Sequence, residues 1–488
     1  MIIAVLIPKR LMPGQAQLTN SHDPHVLEDG ARIAVIGGGP TGSFFSIFAL
    51  RMAKMLGRDL DITVFEPKDF TKDGPGGCNR CGGIISELLV QTLAVEGIKL
   101  PDSVVRKGIN SYRLHTENGS VSIATPALEK TIATVYRGGG PKGMMGEKLE
   151  SFDRFLLSQA VEEGAVHNPI RIDSIACKDG KPVLYSKKNE VMTADLVVGA
   201  FGVNSTAGKI FHELGFGYQE PPTVTAAIAE IGMGEEKVAE FFGNSINLFL
   251  LRDKGIKFAA MIPKGSYVTL CILGKKLDGE VVRNFLAKPL VKSVLPEEGT
   301  YSVQCSCLPK MNVGAPKVPF TDRIVMGGDA GSTRLFKDGL GAAYLMGKAI
   351  AKTAVFEGVG KGHFQKGYYP VYQSIIHDNL FGQMLYLVID QYRSFKVLTR
   401  AMLRTVELEQ GRPNDANKIL SSILWDMFTG NERYKNVFMK TMRPKMHINM
   451  WEGLFKSLFR GGSPLKRENW ARCTPAERSS FVKAIKAR

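Results

Sequence analysis

Long apolar runs are missing from this chain. No uninterrupted hydrophobic stretch reaches the roughly 20 residues that a membrane-spanning helix needs. The longest candidate, residues 380–389, is interrupted by Gly382 and Gln383 and reads as a buried or interfacial helix. Cysteine is sparse and odd in number: Cys78, Cys81, Cys177, Cys271, Cys305, Cys307 and Cys473. Most stand singly in strand-like stretches, which argues against a disulfide scaffold and for a reducing compartment. The apolar start MIIAVLIPKR lacks a basic n-region and a small-residue cleavage site, so a secretory leader is not expected and the expected location is cytoplasmic. Acidic residues are short, 47 against 63 Lys and Arg, for a formal net charge of +16. No RNA- or DNA-binding motif accompanies that excess, so nucleic acid is not an expected partner. What remains is an ordinary basic enzyme, or a surface for anionic lipid or an acidic protein.

Glycine is plentiful, 52 residues, and clusters in short loops of the kind that bring backbone close to a ligand. At 488 residues the chain exceeds one core, so two or three domains are expected. ARIAVIGGGPTGSFFSIFALRMAKMLG reads as strand, glycine-rich turn and helix, and DLDITVFEP as a second strand. Residues 84–96 read as helix, 109–126 as a hairpin around Glu-Asn-Gly, 147–164 as an amphipathic helix and 169–193 as a meander. ADLVVGAFG is a buried strand, short strands fill 216–312, and RIVMGGDAGS returns to the strand-then-glycine pattern before a helix to about 358. Beyond about 362 the pattern is helical. The strands near 31, 61, 195 and 323 should therefore share one sheet. The expected fold class is α/β. A Rossmann-like domain of residues 31–215 and 313–360 is interrupted by an antiparallel β substrate domain, 216–312. An extension, 1–30, precedes it, and a helical region with a basic tail, 361–488, follows.

Gly37-Gly38-Gly39-Pro40-Thr41-Gly42 fits Gly-x-Gly-x-x-Gly. The string alone is weak, but here a strand precedes it, an apolar helix follows, and Glu66 ends the next strand. Gly37 permits the tight turn, Gly39 lets backbone approach a pyrophosphate, and Gly42 lets helix and strand pack closely. The helix N-terminus offers N–H donors to phosphate. Glu66 would accept ribose hydroxyls and disfavour a 2′-phosphate, so the adenosine is of the FAD or NAD type. A second turn, Gly328-Asp329-Ala330-Gly331, follows RIVMG, and Asp338-Gly339-Leu340-Gly341 opens a helix ten residues on. The loop Gly76-Gly77-Cys78-Asn79-Arg80-Cys81-Gly82-Gly83 has three readings: a redox or substrate-facing Cys pair at a helix start, a structural loop, or half of a metal site. No second Cys/His pair with ligand spacing supports the last, and no metal is expected. Gly138-Gly139-Gly140-Pro141-Lys142-Gly143 also fits the dinucleotide pattern. No helix follows at once and no acidic strand end lies about twenty residues on, so it reads as a mobile surface loop.

At these residues the chain resembles the geranylgeranyl-reductase-like flavoproteins, a branch of the group that includes p-hydroxybenzoate hydroxylase. The resemblance spans roughly 31–360 and rests on four landmarks in order. They are the Gly37–Gly42 turn with Glu66; Cys81-Gly82-Gly83-Ile84-Ile85-Ser86; Val135-Tyr136-Arg137 with Phe152-Asp153-Arg154; and Gly328-Asp329 with Gly339-Leu340. The resemblance implies FAD as cofactor, with Asp329 on the ribityl chain and the helix opening at Gly339 and Leu340 aimed at the flavin pyrimidine. It implies that Arg137 contacts the cofactor and that Cys81 lies near the flavin ring, facing substrate, as the candidate catalytic residue. Gly37, Gly39, Pro40, Thr41, Gly42, Glu66, Cys81 and Gly82 would line the cofactor as well. Two segments depart from the family pattern. Gly199-Ala200-Phe201-Gly202 stands where Gly-Ala-Asp-Gly is usual, and Phe258-Ala-Ala-Met-Ile-Pro263 lacks the family Trp. No Trp-x-Trp-x-Ile-Pro motif is present, which argues against a flavin halogenase.

The implied activity is reduction of C=C bonds in a hydrophobic, isoprenoid or lipid-like substrate. Monooxygenation, Cys-pair redox chemistry and a non-catalytic flavin-binding module are the alternatives. No second dinucleotide fingerprint is evident, so the expected electron donor is NAD(P)H bound transiently or a ferredoxin-type protein. From Lys440 to Arg488 twelve Lys and Arg stand against three Glu, and MHINMWEGLFKSLFR carries apolar residues at helical spacing. That region is expected either to pack on the flavin domain or to make peripheral contact with a membrane.

Overall fold

The structure, a computed structural model, describes residues 23–141, 150–253, 255–412 and 417–459. The expected features at 1–22, 142–149 and 460–488 lie outside the described residues. They comprise most of the N-terminal extension, the last two residues of the Gly138–Gly143 string and the distal basic tail.

A six-stranded sheet forms the frame, in the order Phe320–Thr321, Ile324–Met326, Leu196–Gly199, Ala31–Ile36, Leu60–Phe65, Val166–Asn168. Every neighbouring pair is parallel except the first. Its central strands are nearly continuous apolar runs because both faces are covered. Ile33 and Val35 point into a core shared with the helices Pro40–Met55, Phe152–Glu162 and Gly339–Phe356. Ala34 and Ile36 point the other way, onto Leu184 and Met192 of the meander formed by Ser174–Lys178, Lys181–Ser186 and Asn189–Thr193. Helices Pro40–Met55 and Gly339–Phe356 cross closely, with Phe44 edge-on to Tyr344 at 5.6 Å.

The second sheet has the order Ser302–Cys307, Thr223–Gly232, Tyr267–Gly274, Ile256–Lys264, Ser245–Phe249, Ser111–Thr116, Gly119–Ala124, with Lys310–Asn312 also paired to the second strand. All its pairings are antiparallel except Ser245–Phe249 with Ser111–Thr116. The hairpin expected at 109–126 thus forms, but it is hydrogen-bonded into this sheet and not into the parallel one. The face carrying Ala227, Ala229 and Ile231 is covered by the helices Glu235–Phe242, Val281–Leu286 and Pro289–Lys292. The face carrying Leu248, Phe258 and Ile262 is covered by C-terminal helices.

Two local expectations need correction. Residues 84–96 are not all helix: Ile84–Ser86 is a strand, paired with Ile132–Val135, which in turn pairs with Val105–Ile109. Helix begins only at Glu87, where the Ser86 hydroxyl accepts from Leu89 N at 3.2 Å and caps it. β-Branched Ile84 and Ile85 with a capping Ser favour that division. The helix expected from 147 starts at Phe152, because Ser151 caps it by accepting from Arg154 N.

Among the described residues five helices follow Tyr368: Tyr369–Ser394, Lys396–Gln410, Ile419–Phe428, Tyr434–Thr441 and Pro444–Phe459. Fully buried Glu409 knits three of them, accepting from Leu420 N, Ser421 N and Asn449 Nδ2 at 2.8–3.1 Å. Trp425 packs on Tyr112 of the sheet at 4.6 Å and donates from Nε1 to Lys130 O. Among the described residues no helix is long and apolar enough to cross a membrane.

His115, fully buried, ties the hairpin to its neighbour strand: Nδ1 lies 2.8 Å from Ser120 Oγ and Nε2 3.0 Å from Asn247 Oδ1. Burial depresses its pKa from 6.5 to about 4. As pH falls, the unfolded chain takes up this proton first. Stability from the neutral imidazole is therefore full above about pH 6.5 and is lost progressively as pH falls through about 4. Thermal melts from about pH 7 to about pH 4 should show a shallower fall in Tm for His115→Gln than for wild type.

Candidate functional site

The two glycine turns meet at the carboxyl ends of the parallel strands, the place where open α/β sheets hold nucleotides. Gly37 N donates to Phe65 O at 3.0 Å, and Ala200 N to Ile36 O at 2.9 Å, closing the strand ends together. A Cβ on Gly42 would lie 2.0 Å from Gly37 O, so only glycine lets the helix leave the turn at this angle. A Cβ on Gly328, which has φ +62°, would lie 2.1 Å from Thr41 Oγ1. Thr41, in the first turn of helix Pro40–Met55, is thus the point where the first turn touches the second. Glu66 accepts from Gly38 N at 3.0 Å and from Lys68 N at 2.9 Å, leaving lone pairs on each oxygen for further donors.

Arg137 joins this neighbourhood through Asp153, whose Oδ1 lies 4.0 Å from where a Cβ on Gly39 would be. Its Nη2 donates to Asp153 Oδ1 at 2.8 Å and its Nε to Asp153 Oδ2. Asp153 is fully buried in the first turn of helix Phe152–Glu162 and also accepts from Asn79 Nδ2. Lys68 Nζ donates to Asn79 Oδ1 at 2.9 Å and to Cys78 O. Burial disfavours the Arg137 charge, but the adjacent Asp153 carboxylate outweighs it and holds the guanidinium firmly protonated. Asp329, in the second turn, has its carboxyl pushed above the ordinary range by burial, an effect that the positive charge of Arg137 partly offsets.

Helix Gly339–Phe356 begins at Asp338, which adopts φ +47° and accepts from Gly341 N at 3.1 Å. Leu340 turns its side chain into the main core. Only the backbone at Gly339 and Leu340 is left to meet a ligand. Ser332 Oγ, fully buried between Asp329 and Gly339, has no hydrogen-bond partner. An orphaned hydroxyl, the exposed donors of a helix N-terminus and Glu66 at the end of the second strand together suit the pyrophosphate and hydroxyls of a dinucleotide.

Between the Cys loop and the second sheet lies a cavity. Cys78, Cys81 and Arg137 line one side, and Glu230, Lys264 and Tyr267 the other. Cys305 and Cys307 also reach it. Cys78 and Cys81 are not at a helix start, since the strand Ile84–Ser86 follows, and both are free thiols. Burial pushes the Cys78 thiol above its usual range and the Cys307 thiol to about 11. Gly82 faces Cys271 Sγ and Ile262 Cδ1, each 3.2 Å from where its Cβ would be. Among the described residues no cluster suits a metal ion.

Residues 138–141 are not a free surface loop. Gly139 N donates to Lys72 O, Gly140 O accepts from Gly74 N at 2.7 Å, and Arg137 O accepts from Asn79 N at 2.8 Å. A Cβ on Gly138 would press on Cys78 Cα at 2.7 Å, so these glycines let two loops interlace.

Asp153, Asn79, Glu230 and Lys264 were not singled out from sequence as site residues. Glu230 could have been found as the one charge of strand Thr223–Gly232, and Lys264 as the lysine ending the apolar run Phe258–Pro263. Both are buried, and Thr269 Oγ1 donates to Glu230 Oε2 at 2.7 Å.

No protein-family model matches the chain, and no curated protein sequence matches it. Solved structures do. A geranylgeranyl bacteriochlorophyll reductase-like protein from Thermoplasma acidophilum is similar with a TM-score of 0.59 at 14% identity, over 87% of this chain and 98% of that one. A flavoprotein/dehydrogenase from Cytophaga hutchinsonii gives 0.56 at 14% identity, over 88% and 100%. A halogenase solved in complex with phloroglucinol and FAD gives 0.55 at 13% identity, over 89% and 93%. The chain therefore shares the fold of these flavoproteins, halogenases among them.

Removing Asp153 strands a buried guanidinium. Asp153→Ala should cost about 3–5 kcal/mol in urea denaturation, and Arg137→Met added to it should recover part of that loss.

Proposed function

We propose that this protein is an FAD-dependent oxidoreductase that reduces carbon–carbon double bonds of a hydrophobic, isoprenoid-like substrate. The observation that carries the reading is the meeting of Gly37–Gly42 with Gly328–Gly331 at Thr41, on a fold shared with flavoproteins. In that seat Glu66 would take the ribose hydroxyls, the N-terminus of Pro40–Met55 the pyrophosphate, and Asp329 and Ser332 the ribityl chain. The N-terminal end of Gly339–Phe356, with its positive potential, would face the pyrimidine. Bound flavin supplies hydride at N5. The chain itself supplies position and a proton.

Glu230 is the acid we assign. Burial raises its pKa, a shift that neighbouring Lys264 only partly offsets, so the carboxyl holds a proton where an exposed one would not. Its Oε2 accepts from Thr269, which leaves Oε1 to carry that proton to the second carbon of the double bond. Cys81 borders the same cavity and would contact substrate. A redox role for the Cys78–Cys81 pair is disfavoured, because burial keeps Cys78 a protonated thiol. The electron donor on this reading is NAD(P)H or a ferredoxin-type protein, and the net charge of +16 suits an acidic carrier. Monooxygenation is the second reading, favoured by the fold shared with FAD-bound halogenase structures.

The purified protein should absorb near ~370 and ~450 nm as oxidised flavin does, and Gly42→Ala should lack both bands. Under anaerobic conditions the reduced protein should be reoxidised by a geranylgeranyl lipid. Glu230→Gln should slow that step by roughly 10²–10⁴-fold without slowing reduction of the flavin. Reoxidation by oxygen alone would transfer the assignment to monooxygenation.

A further inference from the structure

We infer that helix Pro444–Phe459 docks this protein on an anionic lipid surface. The inference is independent of the reaction assigned above.

The helix is held on one side only. Met446 and Asn449 are buried, the latter bonded to Glu409 at 2.9 Å, and Gly453 packs on Ala401 and Thr405 of helix Lys396–Gln410. On the opposite side Ile448, Trp451 and Phe455 are 64%, 60% and 58% exposed. At about 100° per residue these three fall within an arc of about 60°. Trp451 and Phe455 stack side by side, ring centroids 6.2 Å apart. Large apolar residues seldom stand together in water without a partner.

Charge indicates which partner. The exposed charges on and next to this helix are Arg443, Lys445 and Lys456, all basic, and Lys445 and Lys456 lie along one edge of the apolar stripe. Its single acid, half-buried Glu452, is neutralised by Arg412 and Lys456, each at 2.7 Å. Helix Lys396–Gln410 alongside adds exposed Lys396 and Arg400, and its exposed acid, Glu407, is paired with Arg404. The sequence that follows, 460–488, holds eight Lys and Arg against two Glu. A Trp/Phe/Ile stripe bordered by lysines is the composition of a helix that lies in a headgroup layer; a protein partner of acidic character would not call for the uncharged stripe.

A second element extends the surface. Helix Tyr369–Ser394 carries no Lys, Arg, Asp or Glu among its exposed residues from Ser374 to Gln391. Leu380, Met384, Leu387 and Val388 are the apolar members of that stripe. Helix Tyr434–Thr441 packs on it through Phe438 against Phe381 and leads directly into Pro444–Phe459, with Met439 and Met442 exposed on the way.

The test uses the full chain with Trp470→Phe, so that Trp451 is the exposed indole and Trp425 the buried one. Vesicles of phosphatidylcholine with phosphatidylglycerol should sediment the protein at ~0.05 M salt and shift its emission to the blue. Pure phosphatidylcholine should bind it weakly, and ~0.5 M salt should release it. Trp451→Glu/Phe455→Glu should bind the anionic vesicles at least about tenfold more weakly while keeping the wild-type Tm. Leu387→Glu/Val388→Glu should weaken binding by a smaller factor. The inference is overturned if anionic vesicles leave the protein in the supernatant at low salt, or if the Trp451/Phe455 variant binds as wild type does. It is overturned equally if the Trp451 emission is already blue-shifted without vesicles, which would mean that residues 460–488 or a second copy of the chain cover the stripe.

Discussion

The Arg137–Asp153 pair is the constraint on which the rest of the site depends. Arg137 follows the strand Ile132–Val135, Asp153 opens a helix packed on Pro40–Met55, and Asn79 joins them from the Cys loop. Two glycine-rich loops and the start of a helix are thereby held to one arrangement. Glycine-rich loops lose more conformational freedom on ordering than other segments do, so they need such an anchor. A buried ion pair is seldom the most stabilising choice for a core position. Here it fixes a geometry: the pair joins the strand Ile132–Val135 to helix Phe152–Glu162 and, through Asn79, to the Cys loop, and its guanidinium partly offsets the burial of Asp329.

The frame of the parallel sheet could be read from the chain because its signals are local. Ala31–Ile36, the turn at Gly37–Gly42 and Glu66 lie within about 35 residues, and each has one physical explanation. Asp329 and Gly339 stood out for the same reason. What escaped the sequence depends on distant partners. The hairpin Ser111–Ala124 has the alternation of any half-buried hairpin, and nothing in it specifies that Ser245–Phe249 will lie alongside in parallel. The strand Ile84–Ser86 was lost inside a helical pattern because three residues are too few to set a period. Gly138–Gly140 looked like a loose loop, since the backbone groups at Lys72 and Gly74 that hold it are more than sixty residues earlier. Glu230 and Lys264 carry meaning only once their strands face the Cys loop across a cavity.

The two departures from the family pattern have local explanations. Phe201, standing where an acid is usual, stacks on Phe211 at 5.2 Å and closes the far side of the sheet with Tyr218. Phe258, near the place of the missing Trp, lies parallel to Tyr386 at 6.0 Å and edge-on to Phe428 at 5.3 Å. Its strand is thus sealed against the C-terminal helices by aromatic packing. The cavity opens instead toward the Cys loop, where thiols, tyrosines and a buried Glu–Lys couple form the walls.

The parallel pairing of Ser111–Thr116 with Ser245–Phe249 has a consequence for how the chain comes together during synthesis. Ser111 and Ser245 are 134 positions apart, and their hydroxyls meet at 2.5 Å. The first hairpin therefore leaves the ribosome with one edge unpaired and waits for more than a hundred further residues. Its outer face waits longer, until Trp425 arrives to cover Tyr112. Contacts so far apart slow folding and leave strand edges open to wrong partners in the interval. Fragments that end before the C-terminal helices would inherit that open edge permanently.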